Sequence, residues 1–237
     1  MGAQTQGGPS QPHESGGRVT SRVPAQLAVG AGAVFAALLV ALHPVKPEID
    51  PSWRFISEYA IGNHGWMMVL AFFSLALGQV ALFLALRPQI ATLAGRIGLV
   101  CLLVGAAGLG LAGAFTTDPI TSTAPSTTSG ELHALGGTLG MGMPFAVLLV
   151  SWGLARNPEW SSVRGPLLWT AGLAFLGFLV SAVSLGVLLS RSDGRFGPDV
   201  LVGWPTRFEI VTYDVWLMVV AWCAIGVTGR SAAEARS

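Results

Sequence analysis

HPVKPEIDPSWRFISEYAIGNH, residues 43–64, is a polar segment between two apolar runs, Val23–Leu42 and Trp66–Leu86. Each run has the ~20 apolar residues that a helix needs to cross the hydrocarbon core of a bilayer. Read this way, the flanks are membrane spans, and 43–64 is the loop that turns the chain back into the membrane.

The rest of the chain fits that reading. It is 52% hydrophobic and 11% charged, against about 25% charged residues in soluble domains, and its mean hydropathy is +0.62. Three more runs lack internal charge: Ile97–Phe115, Ala134–Ala155 and Leu167–Leu189. A sixth, Phe208–Val227, contains Asp214; Val215–Val227 alone is too short to span, so Asp214 belongs inside the helix. The expected fold is all-α, a polytopic bundle of six transmembrane helices with a short amphipathic helix in the first outer loop. Residues 1–22, rich in Gly, Ser, Gln and Pro, read as a disordered tail. Residues 23–229 form the membrane domain and 230–237 a short tail. The run behind the first tail is too long for a signal h-region and lacks a small-residue cleavage site. A net charge of +1 gives no argument for nucleic acid. Cys101 and Cys223 lie within apolar runs and read as small core residues. Lys46 is the only lysine; with abundant Ala and Gly, this suits a GC-rich bacterial genome.

Six spans put both termini on one side. With that side cytoplasmic, the inner segments hold Arg18, Arg22, Arg87, Arg96, Arg156, Arg164, Arg230 and Arg236. The outer loops hold Lys46, Arg54, Arg191, Arg195 and Arg207. The excess favours cytoplasmic termini. The polar residues are shared less evenly: His43, His64, His133, Glu58, Asp118, Glu209 and Asp214 all fall on the outer side. A polar site at the outer rim follows as an expectation.

Local patterns refine it. Asp50 suits an N-cap, Pro51 a first helical position and Gly62 a stop. Asp50, Arg54, Ser57 and Glu58 then share one face of a surface helix, with Trp53, Ile56 and Ala60 on another. In the fourth span, Gly136 and Gly140 form a G-x-x-x-G, on the face that carries His133, so His133 should point into the bundle, with the Gly-rich third span as neighbour. Trp53, Trp66, Trp152, Trp160, Trp169 and Trp204 lie near helix ends, as in an aromatic belt.

The candidate catalytic set is Glu58, Asp118, His133 and Asp214, with Ser57 weaker. An intramembrane carboxylate such as Asp214 is either functional or bonded to a neighbouring helix, for instance to Arg207. His43, His64 and His133 are of a type that ligates zinc, although no local metal-binding spacing is present. Ser57, His133 and Asp118 are of the types used in an activated nucleophile. Bis-histidine haem ligation is a weaker alternative. Each residue also has a purely structural reading.

The segments HP…DPSWRFISEYAIGNHGWMM, AGAFTTDP and GELHALGG, in that order within six spans, resemble the bacterial membrane protein family DUF998, a domain of unknown function. The resemblance implies the fold and topology and marks His43, Ser57, Glu58, Asp118 and His133 as signature positions. It carries no reaction to transfer. The expected function is therefore a polar outer pocket that binds, or hydrolyses, a lipid headgroup or small amphiphile. The alternative is a non-enzymatic binding, transport or assembly protein whose buried polar residues are structural. Membrane lipids are the expected partners.

Overall fold

A computed structural model describes residues 22–234. The tail assigned to 1–22 thus lies outside the described residues, apart from Arg22. The described residues form seven α-helices, α1 (Arg22–Val45), α2 (Trp66–Leu86), α3 (Leu93–Ala114), α4 (Thr128–Gly140), α5 (Met143–Ala155), α6 (Arg164–Arg191) and α7 (Gly203–Glu234), with 3-10 turns at Ile56–Ala60, Arg87–Gln89 and Pro158–Val163. Six of the resulting segments are long and apolar enough to cross a membrane. The chain is a multi-pass, all-helical membrane protein.

The spans close a ring. α1 packs on α2, α2 on α3, α3 on both α4 and α5, α5 on α6, α6 on α7, and α7 returns to α1. Small residues set the tightest seams. A Cβ on Gly108 would meet the Gly136 carbonyl oxygen at 2.5 Å, and one on Gly136 would meet the Gly108 carbonyl oxygen at 2.6 Å. The G-x-x-x-G face of α4 therefore lies against α3, and the two backbones touch there. The span that contains α6 is the least buried within the bundle: 17% of its apolar window is buried, against 39–56% in the other spans.

The fourth span is broken, which the sequence reading did not anticipate. Pro144 has no N–H to bond the Gly140 carbonyl, and its ring crowds the preceding turn. The chain tightens instead, with Met141 N–H donating to Thr138 (3.1 Å) and Gly142 N–H to Leu139 (3.4 Å). A new helix starts at Met143. The break turns Met143 inward, where Gly105 of α3 makes room: a Cβ there would lie 2.9 Å from Met143 Cγ.

The loop between α1 and α2 also differs from the expected amphipathic helix. Asp50 spends its carboxylate on the Ser52 N–H (2.9 Å) and hydroxyl (2.7 Å). Phe55 is extended, and only Ile56–Ala60 coil, as a 3-10 turn. Gly62 ends the segment at φ +73°, a left-handed conformation favoured by glycine.

Candidate functional site

Polar clusters knit the loops at the capped end of the bundle, where residues 43–64 lie. Arg207, near the start of α7, is buried. Its Nη1 donates to the carbonyls of Arg54 (2.7 Å), Pro51 (3.1 Å) and Gly203 (3.1 Å). Its Nη2 donates to the Tyr59 hydroxyl (3.3 Å) and its Nε to His43 Nε2 (3.2 Å). The Tyr59 and Trp204 rings lie 5.5 and 5.9 Å from the guanidinium. This cation is held by neutral acceptors and aromatic faces, a role that suits a weakly hydrated guanidinium. Arg207 is thus committed to the first loop and does not pair with Asp214. Since His43 Nε2 accepts from Arg207, the other nitrogen, Nδ1, carries the proton and donates to Leu39 O (2.8 Å).

Glu58 is fully buried. Its carboxylate accepts two bonds from Arg54 (2.7 and 2.6 Å), one from the Phe55 N–H (3.2 Å) and one from the Ile120 N–H (3.1 Å). The last bond ties the loop after α3 to the first loop. Lys46, also buried, donates its ammonium to the Ile61 carbonyl and lies 3.6 Å from Glu48.

Asp118 accepts from the Thr127 N–H (2.9 Å) and hydroxyl (2.8 Å), closing the 118–127 loop. Thr127 caps α4 by accepting from Gly130 N–H at 3.0 Å. His133 points into the bundle, as expected, and its Nδ1–H lies 3.0 Å from Ala112 O and 2.9 Å from Phe115 O. These carbonyls lack helical partners because α3 ends there. No hydrogen bond joins Ser57, His133 and Asp118 among the described residues.

The three histidines do not converge. His64 is exposed in a left-handed turn (φ 60°), His43 serves Arg207, and His133 closes α3. Among the described residues, no three His, Cys, Asp or Glu side chains meet as a metal site would require. Asp214 is buried on the α1 side of α7; a Cβ on Gly32 would lie 2.8 Å from its Oδ1, which has no hydrogen-bond partner. Trp160 departs from the aromatic-belt expectation: it is buried and donates to Gln89 Oε1 at 2.8 Å.

A cavity of about 200 Å³ lies between α5, α6 and α7, with Ile56 of the 3-10 turn in its wall. Met143 and Val147 of α5 and Ala174 and Phe178 of α6 give it apolar walls. α7 contributes Thr206, Glu209, Ile210 and Tyr213. Those four recur at i, i+3, i+4 and i+7, one helical stripe. The sequence does not show that this stripe lines a cavity, because a helix face says nothing about whether its neighbour packs flush. The Tyr213 hydroxyl is buried without a hydrogen-bond partner. At the opposite end of the bundle, Arg87, Arg96 and Arg156 line a cleft of about 470 Å³.

Comparison with known proteins finds a family model described as "Protein of unknown function (DUF998)" matching residues 29–223. No curated protein and no solved structure matches the chain.

Proposed function

We propose a binding function for this chain, which belongs to the DUF998 family: it takes up a small amphiphile in the cavity between α5, α6 and α7. The carrying observation is a mostly apolar cavity, walled by Met143, Val147, Ala174, Phe178 and Ile210, with the Glu209 side chain among its lining residues. An apolar recess with a few convergent polar groups is the usual form of a small-molecule site. At about 200 Å³ it is smaller than the ~300–1,000 Å³ of typical ligand pockets. It suits a head and the first part of a chain, with the remainder among the lipids. The α5–α6 seam is the sparsest in the ring and offers the entry.

Binding is favoured over turnover because Glu58, Asp118 and His133 spend their polar atoms on Arg54, Thr127 and the end of α3. In this reading the capped end faces outward. The opposite end gathers Arg87, Arg96 and Arg156, as cytoplasmic faces do.

The test is thermal unfolding of the protein in nanodiscs with and without twelve-carbon amphiphiles. Stabilisation of the wild type, lost in Ala174→Phe, supports the reading. No response to any amphiphile, or an equal response in Ala174→Phe, overturns it.

A further inference from the structure

We infer that the cavity selects an amphiphile with a cationic amine head, held by Glu209; this rests on the binding reading above. Glu209 is half-buried in the cavity wall, and the side-chain donor beside it is the Ser181 hydroxyl. Among the described residues no ion pair includes Glu209.

The nearby cations are already engaged. Arg207, two residues away on the same helix, directs its guanidinium to the carbonyls of Pro51 and Arg54 and to His43. Arg54 grips Glu58 in a two-point pair, and Lys46 donates to Ile61 O. Thr206 adds no free donor, because its hydroxyl lies 3.0 Å from Val202 O and 3.0 Å from Gly203 O. The cavity wall thus holds a carboxylate-bearing residue and no basic side chain.

A carboxylate away from water is costly unless it is paired with a cation. An ammonium head supplies that cation together with N–H donors for the Glu209 carboxylate. An anionic head would add a like charge beside Glu209. The apolar walls then take the first methylenes of the chain.

The experiment titrates dodecylamine, dodecanol and dodecanoate into wild-type protein in zwitterionic nanodiscs, with Ala174→Phe as background. Ligand-dependent thermal stabilisation is the readout. Charge-assisted pairing predicts dodecylamine binding about tenfold or more tighter than dodecanol, with dodecanoate weakest. Glu209→Gln should bring the amine down to the dodecanol affinity. The order of the three ligands on wild type decides the matter if a variant fails to fold. Equal binding of all three above the Ala174→Phe background overturns the head-group inference and leaves the binding reading intact. Dodecanoate binding tightest does the same. No specific binding of any of them overturns both.

Discussion

Glu58→Gln is the sharpest probe of how the cap is built. The substitution keeps the shape of the side chain and removes its charge. In the wild type, four donors converge on the carboxylate: two from Arg54 at 2.7 and 2.6 Å, Phe55 N–H at 3.2 Å and Ile120 N–H at 3.1 Å. Glutamine retains one acceptor oxygen and turns an NH₂ toward donors that need an acceptor. Arg54, with its side chain only 16% exposed, keeps its charge with no anion beside it. Two charge-assisted hydrogen bonds at roughly 1.5–3 kcal/mol each give ~3–6 kcal/mol. Breaking a buried ion pair from one side costs about 3–5 kcal/mol by a separate route. We therefore expect a loss of about 4 kcal/mol, or roughly 8–16 °C in Tm for a chain of this size. The loss should be localised: amide exchange in residues 116–127 should rise with it, because Ile120 is the tether. Replacing both partners together, Arg54→Leu with Glu58→Leu, should recover most of the stability, since neither charge is then stranded. A Glu58→Gln protein within 0.5 kcal/mol of wild type, with unchanged exchange at 116–127, would refute the argument.

Three further outcomes follow from the same geometry. His133→Ala removes the donor to Ala112 O and Phe115 O; it should cost about 1–3 kcal/mol and speed amide exchange at 112–118, while metal analysis shows no metal lost relative to wild type. Zinc that leaves with His133 would restore the metal reading. Gly136→Val should block assembly of α3 with α4, because a Cβ at 136 would meet the Gly108 oxygen at 2.6 Å; size-exclusion chromatography should show aggregate, and a monodisperse native elution would contradict the seam. Asp50 has its carboxyl held below the ordinary 3.8, first by the Ser52 N–H and then by the Ser52 hydroxyl. A lowered folded value means that its contribution is full above about pH 4 and drains away as pH falls through the folded value. Exchange at 50–54 should therefore rise at acid pH in wild type, whereas Asp50→Asn should show no such acid limb.

The span count was legible because lipid imposes a length and an apolar composition that can be read residue by residue. Trp66–Leu86 was expected and found with the same bounds. The α3–α4 seam was legible too, since G-x-x-x-G in a span names its own contact face. The break at Gly140–Pro144 was missed because hydropathy averages over proline, although Pro144 carried the signal. The loop helix was misjudged because Asp50 can cap a helix or close an Asx turn, and the choice rests on what else grips the segment. Here it is Arg207, whose guanidinium takes the carbonyls of Pro51 and Arg54 from more than 150 positions away.

The sequence by itself determined that this is a six-span membrane chain and that most of its acidic residues and histidines fall on one side of it. Both follow from local chemistry, the cost of placing each side chain in hydrocarbon. Only the tertiary structure decided which of those residues are spent on one another: Glu58 on Arg54 and Ile120, Asp118 on Thr127, His133 on the end of α3. It also left Glu209 and Tyr213 facing a cavity. Hydrogen bonds depend on positions within a few tenths of an ångström, between groups that the chain brings together from distant stretches, and no local pattern encodes that.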